Sequence, residues 1–348
     1  MIRLKDVAEK AGVSVWTVSK VLNPGADNAR ISDECAKSVR AVAETLGYRP
    51  NFHARSLQTG RTHALGLVLQ GSDGCDVPRD QFWSFMLRGV ETRARSLGYD
   101  VLIIGPKGTR NEIERGVEYV KEQRVDALVV PGYMSAVAYS DMLENYDVPA
   151  VLATSPRPSR RHTVVEFDPA PGIAAAVEHL AALGHRKLLW LGPDHDDGRN
   201  RLAAFTRAAR TVGVSGRVVV FKTAASGTED FIAEGQRAFS VQLKEKFSAT
   251  GVICYNEAAA LGVYAAAAES GLKIPRDLSV IGFDDIHAAM ALPPMTVASH
   301  MLEEIGARAA ELAVELAEKR GKRRKPRVET VASKLVVRSS TAQPMRDR

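Results

Sequence analysis

The chain has 348 residues, more than one ordinary domain holds and enough for two or three. Hydrophobic residues make up 45%, ample for a buried core. The most apolar run, Ala258–Ala268, has 11 residues, too few to span a bilayer, so a membrane-spanning role is not expected. No Arg-led apolar segment with a small-residue cleavage site opens the chain, so no secretory signal is expected. Cys35, Cys75 and Cys254 lack metal-type spacing and are read as reduced thiols of a cytoplasmic protein. The net charge of +6 is unevenly placed. Residues 1–61 hold ten Lys/Arg against six Asp/Glu, and 319–327, KRGKRRKPR, hold seven Lys/Arg and no acid. The remainder is mildly acidic. A basic N-terminal module suits a polyanion. The second cluster is more simply a solvated loop between a helix and the last strand.

In chain order, Leu4–Leu22 reads as two short helices joined by a tight turn. Val7, Ala8 and Ala11 form one apolar face, Gly12 stops the helix, and Ser14 is an N-cap for the next. Val18, Val21 and Leu22 repeat at the spacing of a second buried face. Val15, Trp16, Thr17, Ser19 and Lys20 are left on other faces. This is the layout of a helix-turn-helix DNA reader, although an ordinary helical hairpin shares it. A third helix is expected over 32–46, capped by Ser32 and closed by Gly47. Residues 48–62 allow two turns of helix over Asn51–Leu57, too short to be stable alone, and then a linker at Thr59–Arg61.

From Ala64 short apolar runs alternate with amphipathic stretches. Strands are expected at 64–69, 100–105, 126–131, 149–154, 163–167, 187–192, 218–221, 251–255 and 279–283. Helices are expected near 82–97, 111–123, 135–146, 170–183, 199–212, 229–246, 257–270 and 301–320. Continuous apolar strands between helices predict parallel sheets covered on both faces. The count predicts two α/β lobes, with a break near Thr154–His162, where Pro and Arg replace the apolar pattern. Ligands of such sheets sit beyond the carboxyl ends of the strands, and a cleft between two lobes is a natural small-molecule site.

The opening LKDVAEKAGVSVWTVSKVLN, the segments ISDECAKSV and LGYRPNFHARSLQTGRT, and the strand ALGLVL resemble the lactose/galactose repressor family of bacterial transcription factors. Further on, VEHLAALGHRKLLWLG, GVICYNEAAALGVYAAAAESGLKIPRDLSVIGFDD and PPMTVASHMLEEIGARAAELAVEL resemble the effector-binding core of that family. The likeness runs from Ile2 to about Arg338. It implies a headpiece over 1–48, a hinge helix and linker over 49–61, and an effector-binding, dimerising core over 62–348. That core would resemble periplasmic binding proteins, with an N-lobe at about 62–160 and 298–325 and a C-lobe at about 161–297 and 326–340.

The resemblance implies a homodimer, with a tetramer left open, reading a pseudo-palindromic double-stranded operator. By match to the family's recognition helix, Val15, Trp16 and Lys20 stand where bases are contacted. Ser14, Thr17, Ser19 and Asn23 stand where phosphate or supporting contacts lie. Lys20 can donate to guanine O6 and N7, but it replaces the usual Arg, so the bidentate fork is lost. Trp16 stands where a small or amide residue is common. Ala54, Arg55, Ser56 and Leu57 match the hinge helix, whose leucine wedges into the minor groove.

For the effector cleft, Arg201 in NRLAAF, Asp284 in GFDD and Asn256 in CYNE match ligand-contacting positions, with Glu257 replacing the usual Asp. Phe82 and Trp83 match an aromatic pair lining the mouth. An arginine, a carboxylate, an amide and aromatic rings suit a sugar, and also a nucleobase. Asx residues equally favour loop starts, and Phe82 and Trp83 equally suit a core.

Asp194, His195, Asp196 and Asp197 are read as a solvated loop, so no metal is expected, and no cofactor either. Segments 71–80 and 223–234 are irregular for the family. The chain contains no GxGxxG, GxxxxGK[ST], GxSxG or HExxH, so no enzyme is expected. The expected function is a regulator, most simply a repressor, whose operator affinity is changed by a small molecule, a sugar, bound between the lobes. The alternative is a sugar-binding protein of a transport system, against which residues 1–61 argue.

Overall fold

The computed structural model describes residues 2–22, 31–49, 56, 60–69, 81–105, 111–132, 141–154, 159, 161–221, 228–245, 248–319 and 325–345. The head consists of α1 (Leu4–Ala11), α2 (Val15–Leu22) and α3 (Asp33–Thr45). Gly12 adopts φ 66°, and its N–H closes on Ala8 and Glu9, which allows the sharp exit from α1. Ser32 caps α3 by accepting the Cys35 N–H at 3.3 Å. Val7, Ala8, Val18, Val21, Val39 and Ala43 bury the common face of the three helices. A core this small gives the head little stability of its own.

The first lobe runs through β1 (Ala64–Val68), α4 (Gln81–Ser96), β2 (Asp100–Ile104), α5 (Glu112–Lys121), β3 (Ala127–Pro131), β4 (Ala150–Ala153) and β5 (Thr163–Asp168). The second runs through α6 (Ala170–Ala182), β6 (Lys187–Pro193), α7 (Asp196–Val212), β7 (Ser215–Phe221), α8 (Thr228–Lys244), β8 (Gly251–Cys254), α9 (Glu257–Glu269), β9 (Ser279–Asp284) and β10 (Thr296–Ser299). The chain then returns to the first lobe for α10 (Leu302–Glu318) and β11 (Val328–Ala332), and ends in the second with β12 (Lys334–Val336). The first sheet has the order β11-β5-β4-β3-β1-β2, and the second β12-β10-β9-β8-β6-β7. The registered pairs are parallel except β10 with β12. The central strands β1, β3, β4 and β8 are buried along their whole length, because helices cover both faces.

The lobe boundary differs from the expected one. Thr163–Asp168 pairs with β4 and with β11, both in the first sheet. The first crossover therefore falls between Asp168 and Ala170, and Thr154–His162 connects two strands of one sheet. Val328–Ala332 belongs to the first lobe, not the second, and Thr296–Ser299, which straddles the expected boundary at 297/298, lies wholly in the second. Strand neighbours are set by pairing across the sheet, which a linear composition shift does not report. The remaining crossovers lie at Ser299–Leu302 and Ala332–Lys334. The first and third are tied together, since Ser333 donates its N–H to the Asp168 carbonyl (2.9 Å) and accepts that of Gly172 (2.8 Å).

Helices α4 and α10 pack against each other at unusually short range. A Cβ on Gly89 would run into the Glu303 carbonyl, and one on Gly306 into the Met86 carbonyl. Around this contact Arg93 and Arg308 both pair with Glu311, and Arg308 also with Glu329 of β11.

Candidate functional site

Two regions bring the expected functional side chains together: the outer face of α2, and the carboxyl ends of the strands where the lobes meet.

Ser14 precedes α2, and its Oγ accepts the Thr17 N–H (3.0 Å) and lies 2.9 Å from Thr17 Oγ1. It satisfies one of the donors that a helix start leaves free. Because Val18 and Val21 face the core, the helical period turns Val15 and Trp16 outward, 46% and 58% exposed. So much apolar area on so small a module is surface available to a partner. Lys20 Nζ lies 5.7 Å from the Trp16 ring centroid, which joins a cation to an aromatic plate on one face. Thr17 and Ser19 are half-buried beside them. Asn23, Ala54 and Leu57 lie outside the described residues. Ser56 is helical, and Gly60 (φ 67°) donates its N–H to the Ser56 carbonyl at 2.8 Å.

The second region is assembled from the ends of β5, β6, β8, β9 and β10. His195 caps α7, its Nδ1 accepting the Gly198 N–H at 3.1 Å. Burial lowers its pKa, so the ring is neutral and available for that role. Arg201, one turn further along, is buried. Its Nη1 donates to the Tyr255 carbonyl (2.6 Å) and lies 3.7 Å from Asp284 Oδ1. Its guanidinium rests on the rings of Phe283 (3.8 Å) and Tyr255 (4.5 Å). A planar, delocalised cation is the one charge that tolerates such burial between aromatic faces.

Asp284 ends β9 at φ 100°, and Asp285 follows at 74°. This costly pair of left-handed residues is held in place by its neighbours. Glu257, buried at the start of α9, accepts the N–H groups of Ile286 and His287 (both 2.8 Å). Arg338 pairs with Asp285 at 2.7 Å. His300 Nδ1 lies 3.3 Å from Asp284 Oδ1, and its ring stacks on Phe167 at 3.8 Å. Burial lowers the His300 pKa against the pull of Asp284. The neutral ring that results carries its proton on Nδ1, directed at the carboxylate. Arg201, Asp284 and His300 thus form a polar line set among Phe167, Phe283 and Tyr255.

The other expected cleft residues are placed differently. Asn256 caps α9, its Oδ1 accepting the Ala259 N–H at 2.8 Å, so its carbonyl is committed to the helix and its amide group is what remains for a ligand. Phe82 and Trp83 are 3% and 5% exposed within the core of the first lobe, the packing that the sequence left open beside a place at the mouth. The first turn of α4 points them inward. Phe82 reaches the region, edge-on to His300 at 5.5 Å. Among the described residues no three His, Cys, Asp or Glu side chains gather to hold a metal, and Asp194 and Asp196 pair with Arg199. Sequence reasoning did not select His300, Tyr255 or Phe167. Each stands at or just past a strand end, the position that could have drawn attention to them.

Residues 3–51 match the family described as bacterial regulatory proteins, lacI family, and residues 177–341 match the periplasmic binding protein-like domain. The chain is 32% identical to the HTH-type transcriptional regulator GalR of Salmonella typhimurium over 345 residues, covering 97% of this chain and 95% of that protein. It is 30% identical to the regulator DegA of Bacillus subtilis over 344 residues, 97% of each. The chain belongs to the lacI family. As a lacI-family protein it is a DNA-binding transcriptional regulator, with an N-terminal helix-turn-helix region and an α/β core of two lobes. The crystal structure of the lac repressor dimer bound to operator and an anti-inducer superposes with a TM-score of 0.70 at 25% identity, covering 98% of this chain and 99% of that one. Among the described residues no helix is long and apolar enough to cross a membrane.

Proposed function

We propose that this regulator is a cytoplasmic repressor, active as a homodimer on a pseudo-palindromic operator and released or retained by a small polyhydroxylated molecule, a sugar. The observation that carries this reading is the line Arg201–Asp284–His300, buried at both ends and half-buried at Asp284, among aromatic rings in a protein that also exposes Trp16 on its reading helix. A guanidinium and a carboxylate address adjacent hydroxyls as donor and acceptor, and flat rings cover the apolar face of a pyranose or furanose. Arg201, Asp284 and the Asn256 amide are assigned as effector contacts. Phe82 supports them from behind, and Trp83 keeps a packing role.

On the DNA side, Val15, Trp16 and Lys20 are assigned to base edges, and Ser14, Thr17, Ser19 and Asn23 to the backbone. Ala54 and Leu57 are assigned to the minor groove by family likeness. The effector acts by favouring one arrangement of the lobes over another, and operator affinity changes by that difference. No turnover is part of this reading.

The test is a thermal-shift screen of neutral sugars, followed by gel shifts on the gene's own promoter. A sugar that stabilises the wild type but not Arg201→Ala, and that changes promoter affinity, supports the reading. Promoter binding indifferent to every sugar that binds would reject it. Leu57→Ala is expected to weaken specific far more than non-specific binding, and equal losses would reject the wedge.

A further inference from the structure

We propose that α10 carries the state of the cleft to the DNA-binding neck, and that Arg61 is the positioning residue through which it does so. The inference rests on the proposed function and adds the route of coupling.

The two ends of α10 meet the two regions of interest. At its start, His300 is bound twice by Asp284: its N–H donates to the Asp284 carbonyl (3.2 Å), and its Nδ1 lies 3.3 Å from the carboxylate. Only Met301, left-handed at φ 55°, separates that histidine from Leu302, the first residue of α10. A ligand that draws on Asp284 therefore acts on the beginning of this helix. Its 17 residues make a rod about 25 Å long. The close Gly89 and Gly306 contacts lock it to α4, so it moves as a packed body rather than bending.

At the far end, Arg61 Nη2 donates to the carbonyl of Glu318, the last residue of α10, at 2.9 Å. Helix C-terminal carbonyls attract cations, and this one has a guanidinium from the neck. The next two residues are clamped as well. The buried Asp126 carboxylate accepts the N–H of Thr62 (2.9 Å) and of His63 (2.8 Å). On the other side, Gly60 donates its N–H to the Ser56 carbonyl (2.8 Å). Gly60, Arg61 and the clamped Thr62 and His63 thus follow one another without a spare residue. A linker with slack would absorb a displacement of the lobe, whereas this one passes it on.

The test is a double-mutant cycle on operator affinity, which needs no identified effector. Fluorescence anisotropy is measured with the full-length protein on a duplex from its own promoter and on a scrambled duplex. His300→Ala is expected to change promoter affinity by about threefold or more with Arg61 present, and by less than about 1.5-fold in Arg61→Ala. Asp284→Asn is expected to repeat the pattern without opening a ring-sized space, and Arg61→Lys to restore part of the coupling. Asp126→Asn, whose carboxylate is buried away from DNA, is expected to uncouple the sites as Arg61→Ala does. The same change in both backgrounds, or none in either, overturns the proposal. So does an equal loss on both duplexes with a salt slope shallower by about one, because Arg61 would then be a phosphate contact. If the wild type fails to bind any promoter duplex, the repressor reading itself falls. If it binds and the cycle is additive, only this inference falls.

Discussion

Glu257 and His287 hold each other at two points: the Glu257 carboxylate accepts both the backbone N–H (2.8 Å) and the ring Nδ1 (2.9 Å) of His287. With the Ile286 N–H, these contacts fix the turn that presents Asp284. Glu257→Ala is expected to cost about 3 kcal/mol, because buried donors lose their acceptor. Burial, then Asp284, raises the Glu257 pKa above 4.5, and the N–H donors oppose them without winning. The folded protein thus holds this proton more tightly than the unfolded chain. Stability from this group is full below pH 4.5 and is lost as pH rises through the higher folded value. Urea midpoints against pH should therefore decline across that window in wild type and stay flatter in Glu257→Gln.

Histidines act in the opposite sense. His179, His185, His195 and His300 all have pKa values lowered by burial. Their folded forms resist a proton that the unfolded chain takes up near pH 6.5, so stability falls as pH drops below that value. His185 is buried and bonded to Thr250 Oγ1 (2.7 Å) and to the Ala342 carbonyl (3.0 Å). Melting temperatures should fall on acidification in wild type and less steeply in His185→Gln. An equal slope in the two proteins would remove His185 from the account.

Trp16 separates stability from recognition. Being 58% exposed, it should cost the head no more than about 0.5 kcal/mol of stability on change to Ala. Operator affinity should fall by about tenfold or more, the order expected for a contact to bases. Lys20→Arg, which restores a forked donor, should tighten binding at a guanine-bearing position. Calorimetric melts beside anisotropy titrations measure both quantities.

Gly306→Ala tests the contact of α4 with α10. Alanine is the better helix former by about 1 kcal/mol, so propensity alone predicts a gain. The Met86 carbonyl occupies the space the methyl group needs, so a loss of about 2 kcal/mol is expected instead. Urea denaturation decides the sign.

Local physics accounts for what was legible in the sequence. Gly12, Ser14 and Ser32 act within a turn of helix, and they terminate or cap where their chemistry predicts. Buried parallel strands announce themselves as continuous apolar runs, and nine of the expected strands overlap those observed. The lobe boundary was not legible, because β5 is assigned by its pairing with β4 and with β11, far along the chain. Nor did Thr296–Ser299 stand out, a strand of only four residues, although Pro293 and Pro294 stand just before it. Missing that strand meant missing His300, which follows it. Arg201 and Asp284 drew attention through family likeness, and Phe82 and Trp83 stayed open between mouth and core, because an aromatic pair does not reveal which way the first turn of its helix points.

The three crossings between the lobes also constrain synthesis. Strand β11 completes the first sheet, yet it is translated after almost all of the second. While the ribosome is still making residues 170–327, the first lobe exposes the unpaired side of β5. A nascent chain therefore depends on residues 328–336 to seal a layer begun near residue 64, and a stall before residue 328 would leave both sheets with a missing border strand.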